Sequence, residues 1–326
     1  MTHTVLISGG LGYLGGRLAT RISKESYFQV ILGTQKKEKA LPKWLDKGEI
    51  IHLDLLSNES KIISACQNIH SIIHLASLNE IECLSSPEQA LIVNCLGTLK
   101  LLKAAEITGV KRFIYFSTAH IYGSPLKGKI TEETLPKPVH PYAITHRTAE
   151  DYVLAANNNK ILSGIVLRLS NAVGNPVSKN ISRWTLASND LCHQAVISKK
   201  IVLRSSGEEM RDFIAIEDIE RAVLHFLDLP TTNCMDGLFN LGGEYSLKII
   251  ELADLIASRS TNVLGYKPEI IIKRTSTENK TVEPLNYCIE KLKSTNFNLN
   301  KNLINEIDNT LNFCLNSFQI KQYKFL

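Results

Sequence analysis

The sequence predicts an α/β protein: a doubly wound parallel sheet joined to a smaller mixed α/β lobe towards the C-terminus. Three observations carry this. Short apolar runs alternate with amphipathic stretches through the first half, a glycine-rich turn follows the first run, and the texture changes after Leu169. At ~150 residues per domain, 326 residues suit two lobes with a sizeable core.

The predicted strands are Val5–Ser8, Gln29–Gly33, Ile50–Leu53, Ser71–Leu75, Phe113–Ser117 and Gly164–Leu169. Each is nearly continuously apolar and bounded by polar or Gly residues, as expected of strands buried on both faces. Helical patterns lie between them at Leu14–Ser23, Asn58–Cys66, Pro87–Thr108 and Tyr142–Ala156. The third opens with Ser85-Ser86-Pro87-Glu88, a cap followed by proline in the first turn, and stops at Gly109.

Beyond Leu169 the pattern is mixed. A strand is expected at Ile201–Arg204, a helix in the second part of Asp212–Leu229, and another strand at Leu238–Leu241. Near the end Leu303, Ile304, Ile307, Leu311, Cys314, Leu315 and Phe318 fall on one helical face. The division expected is residues 1–170, rejoined by about 212–243, as one lobe, with 171–211 and 244–326 as the other.

Ser8-Gly9-Gly10-Leu11-Gly12-Tyr13-Leu14-Gly15-Gly16 joins the first strand to the first helix. Glycines 9, 12 and 15 allow a sharp turn, leave room for a pyrophosphate and let the helix pack on the sheet. The helix N-terminus adds free N–H groups and positive dipole. In that context the motif predicts a Rossmann-type dinucleotide site. An NAD-selective site carries Asp or Glu about twenty residues further on. Here Gly33-Thr34-Gln35-Lys36-Lys37 has no acid, and Gln35 with the two lysines could instead accept a 2′-phosphate. The two lysines tilt the cofactor expectation from NAD to NADP.

Several further segments make the chain similar to the extended short-chain dehydrogenase/reductase family, the nucleotide-sugar epimerases, dehydratases and reductases. Ile51-His52-Leu53-Asp54-Leu55 resembles its adenine-holding segment, and Ile73-His74-Leu75-Ala76-Ser77 its H-L-A-A stretch along the cofactor. Asn94-x-x-Gly97-Thr98 resembles N-x-x-G-T, and Ser117-Thr118-Ala119-His120-Ile121-Tyr122-Gly123 resembles S-[ST]-x-x-V-Y-G. Arg168 to Gly174, Arg211-Asp212-Phe213-Ile214 and Phe239-Asn240-Leu241-Gly242-Gly243 resemble three later motifs.

The resemblance implies roles residue by residue. Gly9, Gly12, Tyr13, Leu14, Gln35, Asp54, Leu55, Leu75, Ala76, Ser77, Asn94 and Ser117 would line the cofactor, together with Tyr142 and His146. Tyr142 would be the acid/base, and Thr118 would orient the substrate hydroxyl. Thr118, His120, Asn171 and Arg211 would meet the sugar nucleotide, Arg211 through its pyrophosphate, where a bidentate guanidinium fits. Arg183 and Trp184 are candidates for the nucleobase.

Two departures narrow the chemistry. Tyr142-Ala143-Ile144-Thr145-His146 puts His one helical turn after Tyr, where the family has Lys. An imidazole there can bond the nicotinamide ribose and, only when protonated, lower the Tyr pKa. After Thr118 the chain has Ala119-His120, not the Asp-Glu pair of the 4,6-dehydratases. What remains is 4-epimerisation or 4-keto reduction on a nucleotide-activated sugar. The alternatives are a catalytically weakened dinucleotide-sensing protein and a carbonyl reductase outside sugar metabolism.

Composition excludes other classes. Lys and Arg number 37 against 32 Asp and Glu, and the +5 surplus is not clustered as in a nucleic-acid binder. Seven scattered cysteines without a C-x-x-C pair argue against a disulfide framework or zinc ribbon, and no metal site is expected. No apolar run approaches the ~18 residues of a membrane span, and no basic-then-apolar leader opens the chain. The expectation is a cytoplasmic protein. The resemblance implies a homodimer through a helix bundle, and Ala90, Leu91, Leu102, Ala105, Tyr152 and Val153 are available for it on the Pro87 and Tyr142 helices.

Overall fold

The computed structural model describes residues 2–38, 40–181, 183–273 and 283–318. Its centre is a seven-stranded sheet of β1 (His3–Ser8), β2 (Phe28–Thr34), β3 (Glu49–His52), β4 (Ser71–His74), β5 (Arg112–Thr118), β6 (Ser163–Leu169) and β7 (Leu238–Leu241). The order across the sheet is β7-β6-β5-β4-β1-β2-β3, and every pairing is parallel. Chain order reverses between β1 and β4, the switch point at which open α/β sheets bind ligands.

Alternation along the strands builds two cores. Val5 and Ile7 of β1, Ile73 of β4, Ile114 and Phe116 of β5, and Ile165 and Leu167 of β6 face one side. Leu6, Ile72, Phe113, Tyr115 and Val166 face the other. This period of two, apolar on both faces, is what helices on both sides of a parallel sheet require. The third strand departs from the expected double burial. β3 closes the sheet as its edge, with Glu49 and His52 exposed.

The Pro87 helix runs to Thr108 but widens into a π-helical turn at Leu91–Leu96. Gly109 ends it in the left-handed conformation (φ +76°), as a helix C-terminus favours. The fourth predicted helix is Pro141–Asn158, and His140 caps it by accepting the Tyr142 N–H at 3.2 Å. Of the six residues expected to be free for a dimer, Ala90, Leu102, Ala105 and Val153 are buried inside the monomer. Leu91 and Tyr152 stay exposed, and Ile92, Leu96 and Ile144 join them at the surface.

A third core, with Val173, Leu191, Phe213, Ile256, Ile307 and Leu311, belongs to the later segments. Within it the first part of Asp212–Leu229 is a strand, Met210–Ala215, paired with Asn171–Val173 and Tyr245–Lys248. The second part is the helix Ile216–Asp228, whose Ile219, Val223 and Phe226 return to the first core. So do Ile289, Leu292 and Phe297, from a segment expected to lie wholly in the other lobe.

One buried ionic cluster ties the parts together. Arg17 of the first helix, Tyr13–Ile22, donates to Glu220 at 2.7 Å, to Glu306 at 3.2 Å and to the Asn175 carbonyl at 3.0 Å. Burial pushes both carboxyls above their usual range, and Arg17 opposes that shift. Losing Arg17 would leave two buried carboxylates unpaired, the costly half of any buried ion pair.

Candidate active site

A cleft of about 1220 Å³ opens at the carboxyl ends of β1, β4 and β5 and extends to the later lobe. The glycine turn forms one end. Gly9 has φ +72°, and a Cβ there would sit 3.0 Å from the Ala76 nitrogen. A Cβ on Gly15 would lie 2.4 Å from the Gly9 carbonyl oxygen, so helix and turn touch through backbone alone. The Tyr13–Ile22 helix has Gly12 as its N-cap, which has no side chain to cap the first turn. Its N–H groups therefore suit an anion.

Most of the expected cofactor residues line this cleft: Gly9, Gly12, Tyr13, Leu14, Gln35, Asp54, Leu55, Leu75, Ala76, Ser77, Ser117, Tyr142 and His146. Tyr13 contributes its ring only, because its hydroxyl donates to the Gly174 carbonyl at 2.6 Å. Gln35 is exposed, and of the two lysines after it Lys36 lines the cleft while Lys37 does not. Ser8, His74 and Thr98 brace the floor beneath: Ser8 Oγ lies 2.5 Å from His74 Nδ1, and Thr98 Oγ1 lies 2.9 Å from Nε2.

Asn94 is the exception and stays out of the cleft. Its Oδ1 accepts the Leu78 N–H at 2.8 Å, and its Nδ2 donates to Thr145 Oγ1 at 3.0 Å. Only 1% of it is exposed. With its amide satisfied inside the protein, it shapes the cleft wall indirectly by joining the loop after β4 to the Pro141 helix.

Thr118, His120, Asn171 and Arg211 all reach the cleft. Thr118 ends β5 and caps the turn Ala119–Tyr122, its Oγ1 accepting the His120 N–H at 3.2 Å. Asn171 Nδ2 donates to the Asp212 carbonyl at 2.9 Å. Arg211 is held by Glu209. His120 Nε2 lies 3.8 Å from Glu80 Oε1, and burial lowers its pKa while that carboxylate pulls it back up. Arg183 lines the cleft. Trp184 turns the other way, against His193, Phe313 and Phe318.

Tyr142 and His146 face the cleft from one side of the Pro141 helix, their ring centroids 4.3 Å apart. Burial raises the Tyr142 phenol above its usual pKa, Glu80 adds to the rise and Arg183 opposes it. His146 is 3% exposed, and burial pushes it down to about 3, although the Phe116 backbone acts the other way. The imidazole is therefore neutral at ordinary pH. Burial thus works against the protonated form that could lower the Tyr142 pKa, and among the described residues no carboxylate offsets that desolvation.

The residues fit a dinucleotide. The glycine turn leaves backbone room and unpaired N–H groups, and buried Ser117 Oγ and His146 Nε2 have no hydrogen-bond partner among the described residues. Glu80 and Gln89 also line the cleft and were not anticipated. Nothing local marks Glu80, which simply begins a short helix capped by Asn79. Among the described residues no cluster of His, Cys, Asp or Glu could hold a metal ion, and no helix is long and apolar enough to cross a membrane.

Comparison with known proteins agrees with this arrangement. Residues 5–242 match the model of the NAD dependent epimerase/dehydratase family. A putative UDP-arabinose 4-epimerase 2 of Arabidopsis thaliana is 33% identical over 74% of this chain, though the match spans only 64% of that protein. A UDP-glucose 4-epimerase of Rhizobium meliloti is 26% identical over 81% of this chain and 84% of its own length. Among solved structures, a UDP-glucose 4-epimerase from Thermotoga maritima with UDP-glucose shares the fold at a TM-score of 0.81 and 20% identity, covering 97% of this chain and 100% of the other. A UDP-glucuronic acid 4-epimerase from Bacillus cereus, in complex with UDP-glucuronic acid and NAD, superposes at 0.77 and 20% identity over 95% and 98%. With the family model covering most of the sequence, the chain belongs to the NAD dependent epimerase/dehydratase family.

Proposed function

We propose that this protein is a nucleotide-sugar 4-epimerase working with NAD. The observation that carries the reading is that Thr118, Tyr142 and His146 all line the cleft that begins at the glycine turn. No carboxylate pair follows Thr118, and relatives and structural neighbours bearing the name of UDP-sugar 4-epimerase support the choice over reduction.

When bound, oxidised nicotinamide would take the hydride of sugar C4 and give it back to the opposite face of the 4-keto sugar, and its positive charge would favour an ionised phenol beside it. The chain does the rest. Tyr142 takes the proton of the sugar 4-hydroxyl and later returns it, general acid/base work suited to a phenol at hydrogen-bond reach. Thr118 orients that hydroxyl. Arg211 and Arg183 face the pyrophosphate and nucleoside end, and Asn171 braces the strand that carries Arg211.

For the cofactor, the amide of Gln35 offers both a donor and an acceptor to ribose hydroxyls. Lys37 stays out of the cleft, and the family model and a structural neighbour bound to NAD support NAD over the NADP expected from sequence. The lobe around Val173, Phe213 and Ile256 is taken as the substrate lobe. Leu91, Ile92, Leu96, Ile144 and Tyr152 support a homodimer through the Pro87 and Pro141 helices. Seven unpaired, buried thiols support a reducing, cytoplasmic setting.

The test is incubation of the purified protein with NAD and a panel of UDP-sugars, followed by NMR. Appearance of the 4-epimer of one of them is expected. Retention of NAD with no conversion of any sugar would overturn the reading, and net oxidation of a reduced cofactor by a 4-keto sugar would identify a reductase instead.

A further inference from the structure

We infer that Tyr115 is a positioning residue of this site, its buried phenol fixing His146 in the form that presents Nε2–H to the cleft. An imidazole in place of the family's lysine raises a difficulty an ammonium does not. Its single proton can sit on either nitrogen, and only the other hydrogen bond decides which. Tyr115, on β5, supplies that bond. Its Oη lies 2.7 Å from His146 Nδ1, and both residues are 3% exposed.

Counting protons sets the direction. Burial holds the phenol well above and the imidazole well below their ordinary values, so both are neutral. One of them donates and the other accepts. Among the described residues Tyr115 Oη has no other hydrogen-bond partner. Its other ring neighbour, His74, has both nitrogens engaged by Ser8 and Thr98. If Nδ1–H donated, the phenol hydrogen would be buried without an acceptor and Nε2 without a donor. If the phenol donates, the one group without a hydrogen-bond partner is Nε2–H, and the Phe116 backbone beside the ring favours a protonated nitrogen without closing a bond to Nε2. That nitrogen is the buried, unpartnered atom, in a residue lining the cleft beside the Tyr142 ring. The pair thus offers a neutral, fixed N–H donor to an oxygen of the bound nicotinamide nucleoside, which rests on the dinucleotide reading proposed above.

The test is the imidazole nitrogen spectrum of protein labelled with 15N-histidine, the His146 signals being those lost in His146→Gln. The Nε2–H form is expected near neutral pH, shifting towards the Nδ1–H form or a mixture in Tyr115→Phe. An Nδ1–H form in the unaltered protein overturns the inference without any variant, and so does a spectrum unchanged by Tyr115→Phe. In turnover, Tyr115→Phe is expected to lower kcat about ten-fold, the scale of one hydrogen bond, with KM for the sugar nucleotide little changed. In a His146→Lys background the same change should cost nothing. An equal loss in both backgrounds would mark Tyr115 as merely structural. Because the spectrum needs no turnover, it separates failure of this inference from failure of the epimerase reading.

Discussion

Glu209 holds the Arg211 guanidinium by two hydrogen bonds, Nε to Oε1 at 3.2 Å and Nη2 to Oε2 at 3.0 Å, at the edge of the cleft. The carboxylate occupies the fork that a pyrophosphate would use. A phosphate must therefore share Arg211 with Glu209 or displace it. Arg211→Ala is expected to weaken UDP binding about 10- to 100-fold, the range for hydrogen bonds to a charged group. Glu209→Gln should tighten it, by removing the competing charge. Calorimetric titration with UDP decides, and unchanged affinity in both variants would take Arg211 out of the binding site.

Tyr142→Phe removes the proton carrier and leaves the ring. Turnover should fall by about 10² to 10⁴, the usual worth of general acid/base catalysis. Affinity for NAD should stay within a few-fold, read from quenching of protein fluorescence, because the glycine turn is untouched.

Gly15→Ala puts a methyl group 2.4 Å from the Gly9 carbonyl and 2.8 Å from Gly10 Cα. Both are backbone atoms, so no side chain can swing aside. Overpacking of this kind costs about 1–3 kcal/mol. A lower Tm together with weakened NAD binding is expected; a variant with both properties intact would show that the turn has slack.

His146 makes stability depend on pH in a definite direction. Its folded pKa, about 3, lies below the ordinary 6.5. Between those values the unfolded chain holds a proton there that the folded protein does not, so stability falls as pH drops from 6.5 towards 3. His74, also lowered to about 3, acts the same way. Asp212, raised to about 6 from 3.8, acts oppositely, and its contribution is lost as pH rises through 6. Compared with the parent, His146→Gln should lose one proton of this dependence, about 1.4 kcal/mol per pH unit. Urea unfolding at several pH values between about 4 and 6 checks the difference in slope.

Ile92→Glu combined with Leu96→Glu places two charges among Leu91, Ile144 and Tyr152, all surface residues already. Sedimentation at micromolar concentration should show a dimer for the parent and a monomer for the variant, with little change in monomer folding because both sites are exposed.

The nucleotide-binding half is legible in sequence because its signals are local: apolar runs for β1, β2, β4, β5 and β6, and a glycine turn at the point of order reversal. The misreadings arise where distant segments decide. That Ile50 and Ile51 lie at a sheet edge depends on which strand is last, which hydropathy does not record. Asn94 sits in a motif, yet its partners, Leu78 and Thr145, lie 16 and 51 positions away. Trp184 looks like a base-stacking residue until Phe313 and Phe318 come round from the last helix to cover it. His146 was visible as a departure, but its neutrality depends on burial that no spacing reveals.

Ile289, Leu292 and Phe297 fill the same apolar core as Val5, Ile7 and Leu18 of the opening strand and helix. During synthesis the first residues made wait for some of the last. A nascent chain exposes an unfinished apolar wall until Phe297 has emerged, and exposed surface of that kind invites aggregation. A fragment ending at Leu241, although it carries all seven strands, would keep that wall open. Such a fragment is expected to be less soluble than one that also carries Ile289, Leu292 and Phe297.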